Sequence, residues 1–141
     1  MSIYCGTDII EVSRIKNAIL ENSKFKTNIF SESEIEDIEK SSNEDVKYQR
    51  YAGRFAAKEA IYKALSEVLV KEKLSPSFLS VEIINDLDYR RRPYVKVLDV
   101  TLQDIFNKYD IKIDLSISHV KECAVAMAVV NIERSEINGR K

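Results

Sequence analysis

The period of apolar and polar positions changes several times along the chain, and each change marks an element. Ile3 to Ile10 is a short run rich in Ile and Tyr and broken by Gly6. It predicts a buried strand, with a bulge or a close backbone approach at the glycine. The strand carries Asp8 and leads into an amphipathic helix whose apolar face is Ile10, Ile15, Ala18 and Ile19, with Arg14 projecting away from it. Ser31 followed by Glu34 is a capping-box pattern, so a short acidic helix starts there and exits through Ser41, Ser42 and Asn43. From about Val46 to Leu69 the pattern predicts one long helix. Phe55, Tyr62, Leu65 and Leu69 lie along one side, and Ala52, Ala56, Ala60 and Ala64 form a second stripe. A helix apolar on nearly every side belongs in the interior.

After Pro76 the period shortens to that of strands. Val81 to Ile84 and Tyr94 to Leu98 read as a hairpin across the polar turn Asn85 to Arg92. Leu102 to Tyr109 reads as a short helix with Thr101 or Asp99 near its cap. Ile111, Ile113, Leu115 and Ile117 alternate with polar residues, as in a half-buried strand, and His119 to Glu122 is a turn. Cys123 to Ile132 is nearly all apolar, as expected of a central strand. The expected fold is α+β: a small antiparallel sheet packed on the long buried helix, one domain over residues 1–132, with 133–141 a polar tail.

Composition narrows the function classes. The chain has 141 residues, 45% hydrophobic and 32% charged, which suits one globular domain. Its formal net charge of −1 argues against a general nucleic-acid binder. No apolar run is long enough for a membrane span, and no signal peptide is expected. Two cysteines outside any CxxC pair and one histidine cannot make a Cys/His zinc site, and a cytoplasmic location is the expectation. The charge is uneven, however. Residues 32–45 are strongly acidic, and the next stretch carries Lys47, Arg50, Arg54, Lys58, Lys63, Lys71 and Lys73. That is either a set of solvated helix faces or a surface built for an anionic ligand.

Charges on a helix otherwise meant for burial are the informative ones. Glu59 and Lys63 are one turn apart and project close to the Ala stripe, whereas Arg54 and Lys58 project elsewhere. A buried carboxylate needs a cation partner. For Glu59 that partner is either Lys63 in a helix ion pair or a metal ion.

Two stretches carry a family likeness. Gly6-Thr7-Asp8 ends the first strand, and Phe55-Ala56-Ala57-Lys58-Glu59-Ala60-Ile61-Tyr62-Lys63 lies within YAGRFAAKEAIYKAL on the long helix. In this order they resemble the bacterial holo-[acyl-carrier-protein] synthases, the small trimeric 4′-phosphopantetheinyl transferases. LSISHVKECAVAMAVV, from Leu115 to Val130, resembles that family's C-terminal hairpin, and Phe30 to Glu34 gives a weaker match. The resemblance implies transfer of the 4′-phosphopantetheine arm of coenzyme A to a serine of apo-acyl carrier protein, with Mg²⁺, in a homotrimer whose active sites lie between subunits. It also implies a place in fatty acid biosynthesis.

Residue by residue, the resemblance makes Asp8, Glu59 and Lys63 the catalytic residues, with Asp8 and Glu59 the Mg²⁺ ligands. It puts Lys63 near the CoA phosphates and Arg54 near the 3′-phosphate. Lys58, Pro93 and His119 fall at cofactor-binding positions. Arg14 would contact the acidic carrier protein, with Lys24 and Lys26 extending the basic patch. The chain departs from the family at Asp114, where many members have His near the phosphates, and at Arg91, where many have Gly. On the residues alone, a CoA-binding module without transfer, an acyltransferase, or an interaction protein whose buried charges pair with one another stays open.

Overall fold

The computed structural model describes residues 1–86 and 92–133. The elements run β1 (Ser2–Glu11), α1 (Val12–Glu21), α2 (Phe25–Ile29), α3 (Glu32–Glu39), α4 (Glu44–Ala64) and α5 (Ser66–Lys71). A 3-10 turn at Phe78–Ser80 follows, then β2 (Val81–Asp86), β3 (Arg92–Val97), α6 (Val100–Lys108), β4 (Ile111–His119) and β5 (Cys123–Ile132). Three strands form an antiparallel sheet in the order β1-β5-β4, and β2 and β3 pair separately as an antiparallel hairpin. The α+β expectation holds, with β5 at the centre of the larger sheet. Arg90, Arg91 and the tail beyond Glu133 lie outside the described residues.

Helix α4 crosses β1 and β5 and reaches β4. Its small residues explain how closely it approaches. Ala56, Ala57, Ala60 and Ala64 are buried against the sheet. A Cβ placed on Gly6 would sit 2.0 Å from the Ala60 carbonyl oxygen and 2.6 Å from the Ala64 nitrogen. Glycine at this position therefore serves a backbone-to-backbone approach. The bulge alternative fails, because Ser2 to Glu11 pairs with Ile132 to Cys123 in unbroken register.

Two expectations need correction. The long helix is two helices: Leu65, at φ −89° and ψ 1°, ends α4, and α5 starts at Ser66. The strand β1 is buried on one face only. Tyr4, Gly6, Asp8 and Ile10 turn inward, while Ile3 and Ile9 stay 60% and 68% exposed. The capping box is present as expected, with Ser31 Oγ accepting from the Glu34 N–H and Glu34 Oε1 accepting from the Ser31 N–H. Glu34, however, is buried rather than solvated.

Candidate functional site

Strand parity and the close helix contact set the first cluster. Asp8 stands two residues beyond Gly6 on the same inward face, beside the last turns of α4. Lys63 Nζ donates to the Thr7 carbonyl at 3.0 Å and to Asp8 Oδ1 at 3.1 Å. The ion pair thus runs from helix to strand. Among the described residues Glu59 has no ion pair or hydrogen bond, so the i+4 pairing of Glu59 with Lys63 is not formed. Burial pushes the Glu59 carboxyl above its usual range, the Asp8 charge pushes it further, and Lys63 opposes both. Two carboxylates from different elements therefore share one half-exposed lysine.

The second cluster lies at the far edge of the sheet. Two adjoining cavities, of about 590 and 230 Å³, both have Arg50, Arg54, Ile83 and Asn85 in their walls. Gly53, Pro93, Ile117 and His119 complete the smaller one. The His119 Nδ1 is 2.8 Å from Gln49 Oε1, and burial followed by the charge of Arg50 lowers its pKa. His119 is the last residue of β4, so the turn begins one residue later than expected.

The implied cofactor residues Arg54 and Lys58 have protein partners. Arg54 is 5% exposed; its Nη2 donates to Asp37 Oδ2 at 2.6 Å and its Nε to the Ile83 carbonyl at 3.4 Å. Lys58 is fully buried, and its ammonium donates to Glu34 Oε1 and the Ile29 carbonyl, each at 2.7 Å, and to the Phe78 carbonyl at 2.9 Å. All three of its hydrogens have acceptors. Lys58 thus ties α2, α3 and the 3-10 turn to α4. Burial lowers its pKa, and Glu34 opposes the shift.

Asp114 lies on the outer face of β4, where Arg92 pairs with it at 2.5 Å. It turns away from the cavity that holds His119. Arg14 and Lys24 are exposed, as a docking role requires, and Lys26 is 3.6 Å from Glu39. The residues that sequence reasoning missed are Glu34, Glu82 and Asp37, the buried or half-buried acids that answer the α4 cations. Glu82 accepts from Ser31 Oγ at 2.5 Å and Ser33 Oγ at 3.0 Å. Their signal was the 50, 54, 58 spacing, one cationic row that needs counter-charges from a neighbouring element.

The two clusters face apart. Nine residues at about 100° each put Arg50 half a turn around α4 from Glu59. The strands β1 and β4 flank β5, so they are separated by about 10 Å.

Comparison with known proteins places these motifs. Residues 4–128 match the model of the 4′-phosphopantetheinyl transferase superfamily. A holo-[acyl-carrier-protein] synthase of Clostridium tetani is 41% identical over 133 residues, covering 94% of this chain and 98% of the relative. A crystal structure of a holo-(acyl-carrier-protein) synthase from Bacillus anthracis, in complex with CoA (3′,5′-ADP), is 35% identical with a TM-score of 0.68, covering 90% of this chain and 94% of the other. The ACPS–CoA complex of Chronobacterium ammoniagenes shares the fold, with a TM-score of 0.78 at 22% identity over 95% of this chain and all of the other.

Proposed function

The chain belongs to the 4′-phosphopantetheinyl transferase superfamily, and on that premise we propose that it transfers 4′-phosphopantetheine from coenzyme A to a serine of apo-acyl carrier protein. The serine oxygen forms a bond to the β-phosphorus of the CoA pyrophosphate as its hydroxyl bond breaks and the proton passes to solvent. The bond from that phosphorus to the bridging oxygen breaks, and adenosine 3′,5′-bisphosphate leaves. The observation that supports the reading is the Asp8–Glu59–Lys63 cluster, in which Lys63 pairs with Asp8 and the charges of both act on Glu59.

Such a transfer needs charge neutralisation and alignment more than covalent help. Asp8 and Glu59 supply two hard oxygen donors from facing elements, with one lysine against two negative charges. This donor set fits Mg²⁺, which takes one or two carboxylates and completes its shell with phosphate oxygens and water. When bound, the ion would neutralise the pyrophosphate. The ammonium of Lys63, 53% exposed, is free to turn toward charge that develops on the leaving phosphate. Gly6 holds the strand against the helix, so Asp8 and Glu59 keep their spacing. Arg14 and Lys24 present positive charge to an acidic carrier.

The outer sheet face supports self-association. Ile3, Ile9, Val125 and Met127 are exposed together there, which supports a homotrimer that covers them. The separation of the two clusters supports active sites built between subunits. No helix among the described residues is long and apolar enough to cross a membrane. Both cysteines are free, which suits a reducing cytoplasm.

The test is to incubate the protein with apo-acyl carrier protein, CoA and Mg²⁺ and to weigh the carrier. A gain of one phosphopantetheine group is expected, and its absence at saturating CoA would overturn the assignment. Sedimentation showing a monomer at working concentration would overturn the trimer.

A further inference from the structure

The acid cluster already holds a cation of the chain's own. Lys63 stands in the last turn of α4, and its ammonium donates to the Thr7 carbonyl at 3.0 Å and to Asp8 Oδ1 at 3.1 Å. Thr7 and Asp8 are successive residues of β1, so the lysine closes from helix to strand. This contact is built to open. The Lys63 side chain is 53% exposed, against 17% for Asp8, and a half-exposed ion pair is weakly held. Lys58 shows the contrast on the same helix: it is fully buried, and its ammonium is bound on all three hydrogens. Glu59, one turn before Lys63, takes no bond from it. A divalent cation on Asp8 Oδ1 would meet the ammonium within bonding distance. Two positive charges cannot both keep that oxygen, and the divalent one is held more strongly.

We propose that Lys63 is an exchangeable counter-ion: its ammonium holds Asp8 in the free enzyme, and it leaves Asp8 for the CoA pyrophosphate when Mg²⁺ takes the carboxylate. The inference rests on the function proposed above. No covalent bond changes; one ion pair replaces another. Lys63 in one state and the metal in the other neutralise Asp8 where β1 meets α4, so the strand carboxylate never faces Glu59 uncompensated. Two consequences follow. Lys63 lowers the affinity for the metal alone, because the competent state is the fraction in which Asp8 is released. The pyrophosphate offers the released ammonium a new partner and so restores that affinity. Metal and CoA thus assist each other through one side chain, and by linkage the assistance is mutual.

Calorimetric titration of the full chain with Mg²⁺, without CoA, reads the competition and requires no turnover. Lys63→Met should bind Mg²⁺ at least about fivefold more tightly than wild type. A distant field would be screened at 1 M salt, where the Debye length is about 3 Å, whereas a contact persists; the tightening should still exceed about threefold there. A second readout uses the wild-type chain, with ¹³C at lysine Cε and the Lys63 signal identified by its loss in Lys63→Arg. Mg²⁺ alone should raise the mobility of that side chain, and CoA added afterwards should lower it again. Equal Mg²⁺ affinity in wild type and Lys63→Met, binding to neither, or a tightening that vanishes at 1 M salt overturns the proposal. So does a Lys63 signal that keeps its mobility when Mg²⁺ is added to saturation. Failure of the transfer reaction itself would appear in the carrier-mass assay and not in these measurements.

Discussion

Lys58→Met gives the sharpest test of the buried polar cluster. The substitution removes an ammonium while keeping the length and apolar stem of the side chain. It leaves the Glu34 carboxylate without its cation and the Ile29 and Phe78 carbonyls without a donor. Glu34 keeps its bonds from the Ser31 and Ile83 N–H groups, so its charge is not wholly orphaned. Removing one partner of a buried ion pair costs about 3–5 kcal/mol. Against a total stability of about 5–15 kcal/mol, that is a large share, and it lowers Tm by roughly 10 °C in a domain of this size.

Urea unfolding followed by circular dichroism, at fixed protein concentration so that assembly does not enter, reads the loss. Adding Glu34→Gln to Lys58→Met removes the stranded charge and should recover part of the stability, a coupling of at least about 1 kcal/mol. Per folded molecule, the KM for CoA should change little, because all three hydrogens of the buried Lys58 ammonium are taken by protein acceptors. An unfolding free energy within about 1 kcal/mol of wild type, together with a rise in KM of about tenfold or more, would refute this reasoning and return Lys58 to the ligand.

Three shorter predictions follow from the same geometry. Gly6→Ala drives a methyl group into the backbone of α4 at Ala60 and Ala64, and neither atom can yield as a side chain would. A loss of about 3 kcal/mol or more in urea unfolding is expected, together with reduced transfer, because Asp8 moves with its strand. Burial and Asp8 raise the Glu59 pKa above 4.5, so the folded state holds its proton more tightly than the unfolded chain. The stability this contributes is complete below about 4.5 and is lost as pH rises through the folded value. In chelator, Glu59→Gln should therefore melt above wild type at neutral pH, and the gap should close as pH falls toward 4.5. Adding Mg²⁺ with CoA should then raise the wild-type Tm by more than it raises that of the variant, which keeps the cationic cavity but lacks one metal ligand. Asp114→Ala removes an exposed pair with Arg92 on the outer face, so a stability change below about 1 kcal/mol and a KM for CoA within about twofold are expected.

The acid cluster was legible because its information is local. Period-two alternation puts Gly6 and Asp8 on one face, helical spacing puts Glu59 beside Lys63, and a helix rich in alanine announces a close neighbour. The partners of Lys58 were not legible. Glu34 already had a local explanation as the third residue of a capping box, and its second role depends on α3 packing over α4. The break at Leu65 was hidden for a similar reason: apolar periodicity runs through it without a Gly or Pro, and only the backbone turn at Leu65 separates the two helices. Charge rows tell which face is polar, but which cation is spent on the fold and which is left for a ligand is decided by tertiary contacts.

If identical subunits share the proposed site, the opposed clusters constrain how they assemble. One subunit offers an acidic edge at β1 and a cationic edge at β4, so joining the two requires a head-to-tail contact. Head-to-tail contacts form rings when the rotation between subunits closes, whereas a twofold contact centred on either edge sets that edge against itself. A mixture of Glu59→Gln and Arg50→Gln chains tests this directly. If each site takes its acids from one subunit and its guanidinium from the next, random mixing of equal amounts restores about a quarter of the sites to the wild-type set, one half for each residue independently. Transfer at CoA concentrations well below saturation should then exceed the average of the two variants measured alone. If both residues serve one site within a single chain, no mixed assembly contains an intact site, and the mixture gives only that average. Activity no higher than the average, with exchange of subunits verified by mass, would sink the shared-site arrangement.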